Sequence, residues 1–183
     1  MTMELIANYR KKLLHFFESF VISRSYLSSV TAGFRISRKY YICQSLVATV
    51  VVLIVFLILT ENHAVVVASL GSTAFIIFAM PRSITAEPRR VIGGHLMGII
   101  SGSLFAFIPQ LSLIPSAIIY SIAVGISIFL MVSTKTEHPP ASGTALGIAL
   151  NGLTVSVALA VVISAALLSV SHYFLKRYLR DLT

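Results

Sequence analysis

Two short stretches of the chain gather small hydroxyl residues and glycine beside histidine. The first is Ala68-Ser69-Leu70-Gly71-Ser72-Thr73-Ala74, preceded by Glu61-Asn62-His63. The second is Ala141-Ser142-Gly143-Thr144-Ala145, preceded by Glu137-His138-Pro139-Pro140. Ser and Thr are N-cap types whose hydroxyls both donate and accept. Glycine lets a ligand approach the backbone with no Cβ in the way. A helix beginning inside such a stretch exposes free N–H groups and about half a positive charge. That chemistry suits a small anion and needs no buried Lys or Arg. On this reading Ser69, Gly71, Ser72 and Thr73 in one copy, and Ser142, Gly143 and Thr144 in the other, bind substrate through backbone N–H and hydroxyl. The competing reading is close helix packing by small residues.

Other residues frame these stretches. His63 and His138 stand at their mouths, where a histidine can gate, titrate or guide an anion, or simply cap a loop. Glu61 and Glu137 are placed for proton coupling or as solvated carboxylates. His95 is an intramembrane histidine and so a functional candidate, with a structural role as the alternative. It lies three and seven residues from Gly98 and Gly102, toward the packed side of its segment. Gly94, Gly98 and Gly102 recur every fourth residue as a packing stripe. His15 and His172 read as interfacial, and Cys43, the single cysteine, as a small helical residue.

Enzyme signatures are missing: no H-E-x-x-H, no phosphate-binding loop, no nucleophile elbow. The expectation is a non-enzyme with no cofactor or metal and no nucleic-acid partner.

The elements that must position these residues follow from composition. Only 11% of the 183 residues are charged, against about 25% in a soluble domain, and 57% are hydrophobic. Mean hydropathy is +0.93. So little charge cannot cover a water-soluble surface, and the chain reads as an all-α integral membrane protein. Apolar segments run over 41–60, 64–80, 91–108, 113–132, 139–150 and 153–175. A helical span needs roughly 20 residues, and the second and fifth segments fall short.

Two topologies compete. If the short segments are re-entrant, there are four spans, and Arg82, Arg89, Arg90 and Lys135 lie outside. If they cross, there are six, and all 14 Lys and Arg fall on the cytoplasmic side with both termini. The positive-inside rule favours six. Each half then reads long, short, long, which predicts two inverted three-segment repeats. Extended backbone covers about 3.3 Å per residue, so segments two and five are expected to be broken near the midplane. Half-helices would start near Gly71 and Ser142, with facing N-termini.

Outside the spans, residues 1–40 are a basic cytoplasmic segment. Leu5, Ile6, Tyr9, Leu13, Phe16, Phe17 and Phe20 recur at helical spacing and predict an interfacial amphipathic helix. No cleavable leader is expected. The membrane domain is 41–175, and 176–183 form a basic cytoplasmic tail.

The run Glu137-His138-Pro139-Pro140-Ala141-Ser142-Gly143-Thr144-Ala145 resembles the His-Pro-Pro (HPP) integral membrane family. A second block agrees: Gly71-Ser72-Thr73-Ala74, Pro81, Pro88-Arg89 and Val91-Ile92-Gly93-Gly94-His95. The similarity covers roughly residues 41–170. Plastid and cyanobacterial members of that family are linked to nitrite transport, so the resemblance implies a transporter of nitrite or a similar small monovalent anion. It carries over His138, Pro139 and Pro140 as the signature, with Arg89 and His95 as the second block. The family is usually described with four spans, against the six that the charges favour.

The combined expectation is anion transport by alternating access in a bacterial inner membrane, with Arg89 and His138 drawing anions from the cytoplasmic side. A protomer of 19.9 kDa is small for a two-part transporter, so a homodimer or higher homo-oligomer is expected. A passive anion channel and a non-transporting scaffold are the alternatives.

Overall fold

The computed structural model describes residues 8–14, 24–58, 64–108 and 113–182. The chain divides into two units, Met1–Tyr41 and Ile42–Thr183. In the first, residues 8–14 form a short helix, α1, with every side chain exposed. Leu5, Ile6, Phe16, Phe17, Phe20 and His15 lie outside the described residues, as do Glu61 and His63.

Six further helices follow: α2 (Arg24–Ile58), α3 (Ala64–Ala79), α4 (Pro88–Phe105), α5 (Leu113–Thr134), α6 (Pro140–Asn151) and α7 (Val155–Leu175). Among the described residues three windows are long and apolar enough to cross a membrane: Arg38–Leu57, Ser116–Thr134 and Val155–Leu175. Val65–Ala79 is a shorter apolar helix. The surface inverts the soluble pattern. Leu46, Leu57, Phe75, Leu104, Phe129 and Leu159 are exposed, while Ser101, Thr144 and Ser164 are buried. Large apolar side chains outside and small or hydroxyl ones inside are what a lipid solvent selects.

Local chemistry ends each helix. Glu87 precedes Pro88, whose missing N–H costs nothing in a first turn. Lys135 takes a left-handed φ of 56° at the end of α5, so that Thr136 N–H reaches Met131 O at 2.9 Å. Gly152, at φ 88°, ends α6, and Thr154 caps α7 by accepting from Val157 N–H.

Within the second unit, contacts fix the helix directions. Gln44, just past the middle of α2 and near the start of its part in this unit, donates to Phe78 O near the end of α3 at 2.6 Å. His172, late in α7, donates from Nε2 to Pro81 O at 2.8 Å. Thr136, just after α5, crowds Gly93 near the start of α4. Successive helices therefore run in alternate directions. One end of this unit gathers Arg82, Arg89, Arg90, Lys135, Lys176, Arg177 and Arg180. The stretches of sequence that link α2 to α3, α4 to α5 and α6 to α7 contain no Lys or Arg.

The short helix α6 is the centre of the packing. Ala141, Thr144, Ala145, Ile148 and Ala149 are all buried, and α6 packs against α3, α4 and α5. The α4 glycines make this possible. A Cβ on Gly98 would lie 2.5 Å from Ala141 O, and one on Gly102 2.6 Å from Ala145 O. The stripe is a packing device, as its spacing predicts.

Two expectations are corrected. The segment over 64–80 is not broken near Gly71, because α3 is one helix from Ala64 to Ala79. Its valines favour extended backbone, but extended backbone in lipid would leave N–H and C=O groups unpaired. The other short segment follows non-helical residues 136–138 with a 12-residue helix, which starts at Pro140, two residues before the expected Ser142. Nor do their N-termini face each other. Val66, near the start of α3, meets Gly147 late in α6, whereas Thr73 meets His138 just before α6 begins. The two helices lie side by side and antiparallel, with their starts at opposite ends.

The start of α6 is also poor in free donors. Pro139 and Pro140 have no N–H, and the amides of Ala141 and Ser142 bond to His138 O and Pro139 O at 2.9 and 3.1 Å.

The end of the chain packs back on the bundle. Leu179 is buried, and Leu182 N–H donates to Ala79 O at 2.8 Å, so residues 179–182 dock on the end of α3. His172 is buried at the basic end of the bundle, against Pro81.

Candidate functional site

Where α3, α4 and the approach to α6 meet, five polar side chains form a buried chain of contacts. Ser69 and Thr73 sit four residues apart, on one face of α3. His95 projects from α4 on the face marked by the glycine stripe. His138 lies in the connection between α5 and α6, and Thr144 one turn into α6. All five are under 5% exposed.

The contacts run in sequence. Ser69 Oγ is 2.9 Å from Thr144 Oγ1, which is 2.9 Å from His95 Nδ1. His95 Nε2 is 2.9 Å from Thr73 Oγ1, which is 2.9 Å from His138 Nε2. His138 Nδ1 lies 2.8 Å from Thr85 O, and Ser69 Oγ lies 3.0 Å from Val66 O. Backbone carbonyls thus stand at both ends. A carbonyl only accepts, so the bond to Thr85 requires a proton on His138 Nδ1. Burial pushes the His138 pKa down to about 4, partly opposed by that hydrogen bond.

Two features border this chain. Arg90 pairs with Glu137, next to His138, and its Nε lies 3.7 Å from Glu87. A cavity of about 260 Å³ opens between Ile128, Met131 and Val132 of α5 and Glu137, His138, Pro139 and Ser142. Ser142 and His138 both line this small space at the basic end.

The structure thus joins Ser69, Thr73, Thr144, His95 and His138 directly. Ser142 and Pro139 line the adjoining cavity, and Pro140 opens α6. Gly143 serves packing: a Cβ there would lie 3.0 Å from Ser69 Cβ. Gly71 and Ser72 are not brought to the cluster. Both are exposed, a Cβ on Gly71 would meet nothing within 4 Å, and Ser72 donates to Ala68 O. Arg89 is exposed, while its neighbour Arg90 makes the ion pair.

Sequence reasoning missed Arg90 and the Thr85 carbonyl. The Arg89-Arg90 doublet marks a pair of cations, but only the register of α4 says which one turns inward. Among the described residues no group of three or more His, Cys, Asp or Glu could hold a metal ion.

Comparison with known proteins agrees with this architecture. The chain matches the HPP transmembrane region over residues 34–180. It belongs to the HPP transmembrane family. A transmembrane protein of Dictyostelium discoideum is 35% identical over 88 residues, 48% of this chain and 31% of that protein. A second transmembrane protein of the same organism is 32% identical over 78 residues, 43% of this chain and 25% of that protein. The chain therefore spans less than a third of the length of these relatives. No solved structure matches it. As an HPP protein it is an integral membrane protein. In this HPP chain His138 joins the buried contacts, while Pro139 and Pro140 lead into the central helix.

Proposed function

We propose that this HPP protein is a transporter of a small monovalent anion, of which nitrite is the type. The observation that carries this reading is the buried Ser69–Thr144–His95–Thr73–His138 chain inside an apolar bundle. Polar and ionisable groups at such depth are costly and mark substrate or ion pathways. The cavity beside His138 and Ser142 is the binding space. The hydroxyl of Ser142 donates to the anion, and the cations gathered at that end raise its local concentration. Backbone amides at facing helix starts are no part of this mechanism.

The accompanying topology is six crossings arranged as two inverted repeats, with α3 and α6 as the short central pair. Alternate helix directions and the absence of Lys and Arg at one end support it. The basic end then faces the cytoplasm of a bacterial inner membrane, with residues 1–40 on the same side. The working unit is a homodimer or larger.

The experiment is uptake into liposomes containing the purified chain, comparing nitrite, nitrate, formate and bicarbonate. Saturable nitrite uptake, at least tenfold weaker in Ser142→Val, is the expected result (about 1.4 kcal/mol of lost binding). Folded protein that moves none of the four anions overturns the reading and favours a scaffold.

A further inference from the structure

The buried polar chain holds fewer protons than its contacts require. Between Val66 O and Thr85 O there are six successive contacts, through Ser69, Thr144, His95, Thr73 and His138. Each hydroxyl supplies one proton and each neutral imidazole one, so the neutral chain has five. One contact is always a meeting of two lone pairs. Thr73 Oγ1 also lies 3.0 Å from Ser69 O, which adds an acceptor and no proton.

Rotating a hydroxyl, or moving a histidine proton between its two nitrogens, shifts the gap by one position along the chain. A sixth proton fills all six of these contacts and leaves only the Thr73–Ser69 O contact without one. With that proton on His138, Nδ1–H donates to Thr85 O and Nε2–H to Thr73, whose hydroxyl donates to His95 Nε2. His95 Nδ1–H then donates to Thr144, Thr144 to Ser69, and Ser69 to Val66 O. With the proton on His95 instead, Thr73 turns to donate to His138 Nε2. Passage between the two rings takes one proton leaving His138 Nε2 for Thr73 while Thr73 releases its own to His95 Nε2. No bond other than these N–H and O–H bonds is made or broken.

We propose that this chain is a single-proton relay and that its sixth proton travels with the anion. The coupling rests on the transport reading above. An anion in the cavity beside His138 neutralises the imidazolium, a charge that Glu137 and Glu87, which share Arg90, offset only in part. Among the charged groups around the chain, Glu137 and Glu87 both pair with Arg90. Helices α3 and α6 contain no titratable side chain, Tyr120 is the one in α5, and His172 of α7 is turned to Pro81. Burial already opposes the charged ring when no anion is present.

The test is a 15N NMR titration of the histidine-labelled full chain in bicelles, with and without excess nitrite, assigned through His95→Gln and His138→Gln. One proton per chain, shared by the two rings and bound at higher pH with nitrite, is expected. Thr73→Val should confine the proton to one ring, and Thr73→Ser should restore sharing; thermal unfolding checks that both variants fold. Two independent protonations, or a Thr73→Val titration like that of the unsubstituted chain, would overturn the relay.

In liposomes, with protein-free vesicles subtracted, initial nitrite uptake should rise about tenfold per unit of acidification outside while the chain is mostly unprotonated. Uptake indifferent to pH defeats the coupling and leaves the transport reading intact. Absence of uptake defeats the transport reading, and the titration still decides the relay.

Discussion

His95 and His138 aim their Nε2 atoms at one hydroxyl, Thr73 Oγ1, each from 2.9 Å, with ring centroids 5.2 Å apart. A hydroxyl has one proton, so it donates to only one of the two rings at a time. The other ring must then carry its proton on Nε2 for both contacts to be hydrogen bonds. Residues from three separate stretches are thereby tied into one electrical unit, and a change at any of them is felt at the others.

Stability should depend on pH through His138. Its folded pKa, about 4, is below the unfolded value near 6.5, so the unfolded chain binds more protons between those values. The stabilisation is present above the unfolded pKa and lost as pH falls through the folded one. Thermal unfolding in detergent should show a loss on the order of 3 kcal/mol across that window. Excess nitrite should reduce it. A melting temperature unchanged between pH 7 and pH 4 would contradict the burial argument.

The glycines of α4 should tolerate no side chain. Gly98→Ala and Gly102→Ala place a Cβ at 2.5 and 2.6 Å from carbonyl oxygens of α6 and should cost about 1–3 kcal/mol each. Gly71→Ala and Gly125→Ala meet open space and should be neutral or slightly stabilising. Comparing the four melting curves checks this directly.

Arg89 and Arg90 should behave differently despite adjacency. Arg90 is coupled to Glu137, and a double-mutant cycle with Arg90→Gln and Glu137→Gln should give an interaction of about 1 kcal/mol. Arg89→Gln should leave stability within about 0.5 kcal/mol and lower nitrite uptake only at low ionic strength. A salt-independent effect of Arg89→Gln would argue for a direct contact instead.

Membrane topology can be read chemically. In a Cys43→Ser background, the single substitutions Arg82→Cys and Lys176→Cys, both at exposed positions, should react with an impermeant maleimide from the same side of the bilayer. Labelling from opposite sides would support the four-span alternative.

Several of these relationships were legible in the letters. Gly94, Gly98 and Gly102 announced a contact face, and their spacing to His95 put that ring on it. Helical spacing is a local property that tertiary contacts do not alter. The behaviour of the short segments was not legible in the same way. The valines of Ala64–Leu70 and the prolines before Ser142 both argued for broken crossings. In lipid, the demand that every backbone group be paired outweighs a β-branched preference of a few tenths of a kcal/mol.

By itself, then, the sequence determined the membrane class and the apolar segments, because these depend on composition and order along the chain. Only the tertiary structure decided that α3 and α6 lie antiparallel, that Arg90 rather than Arg89 meets Glu137, and that Thr73 joins two histidines. Such pairings depend on helix rotation and on contacts between residues as many as 75 positions apart, like that of Ser69 with Thr144. A linear pattern carries no record of which hydroxyl a distant imidazole will meet.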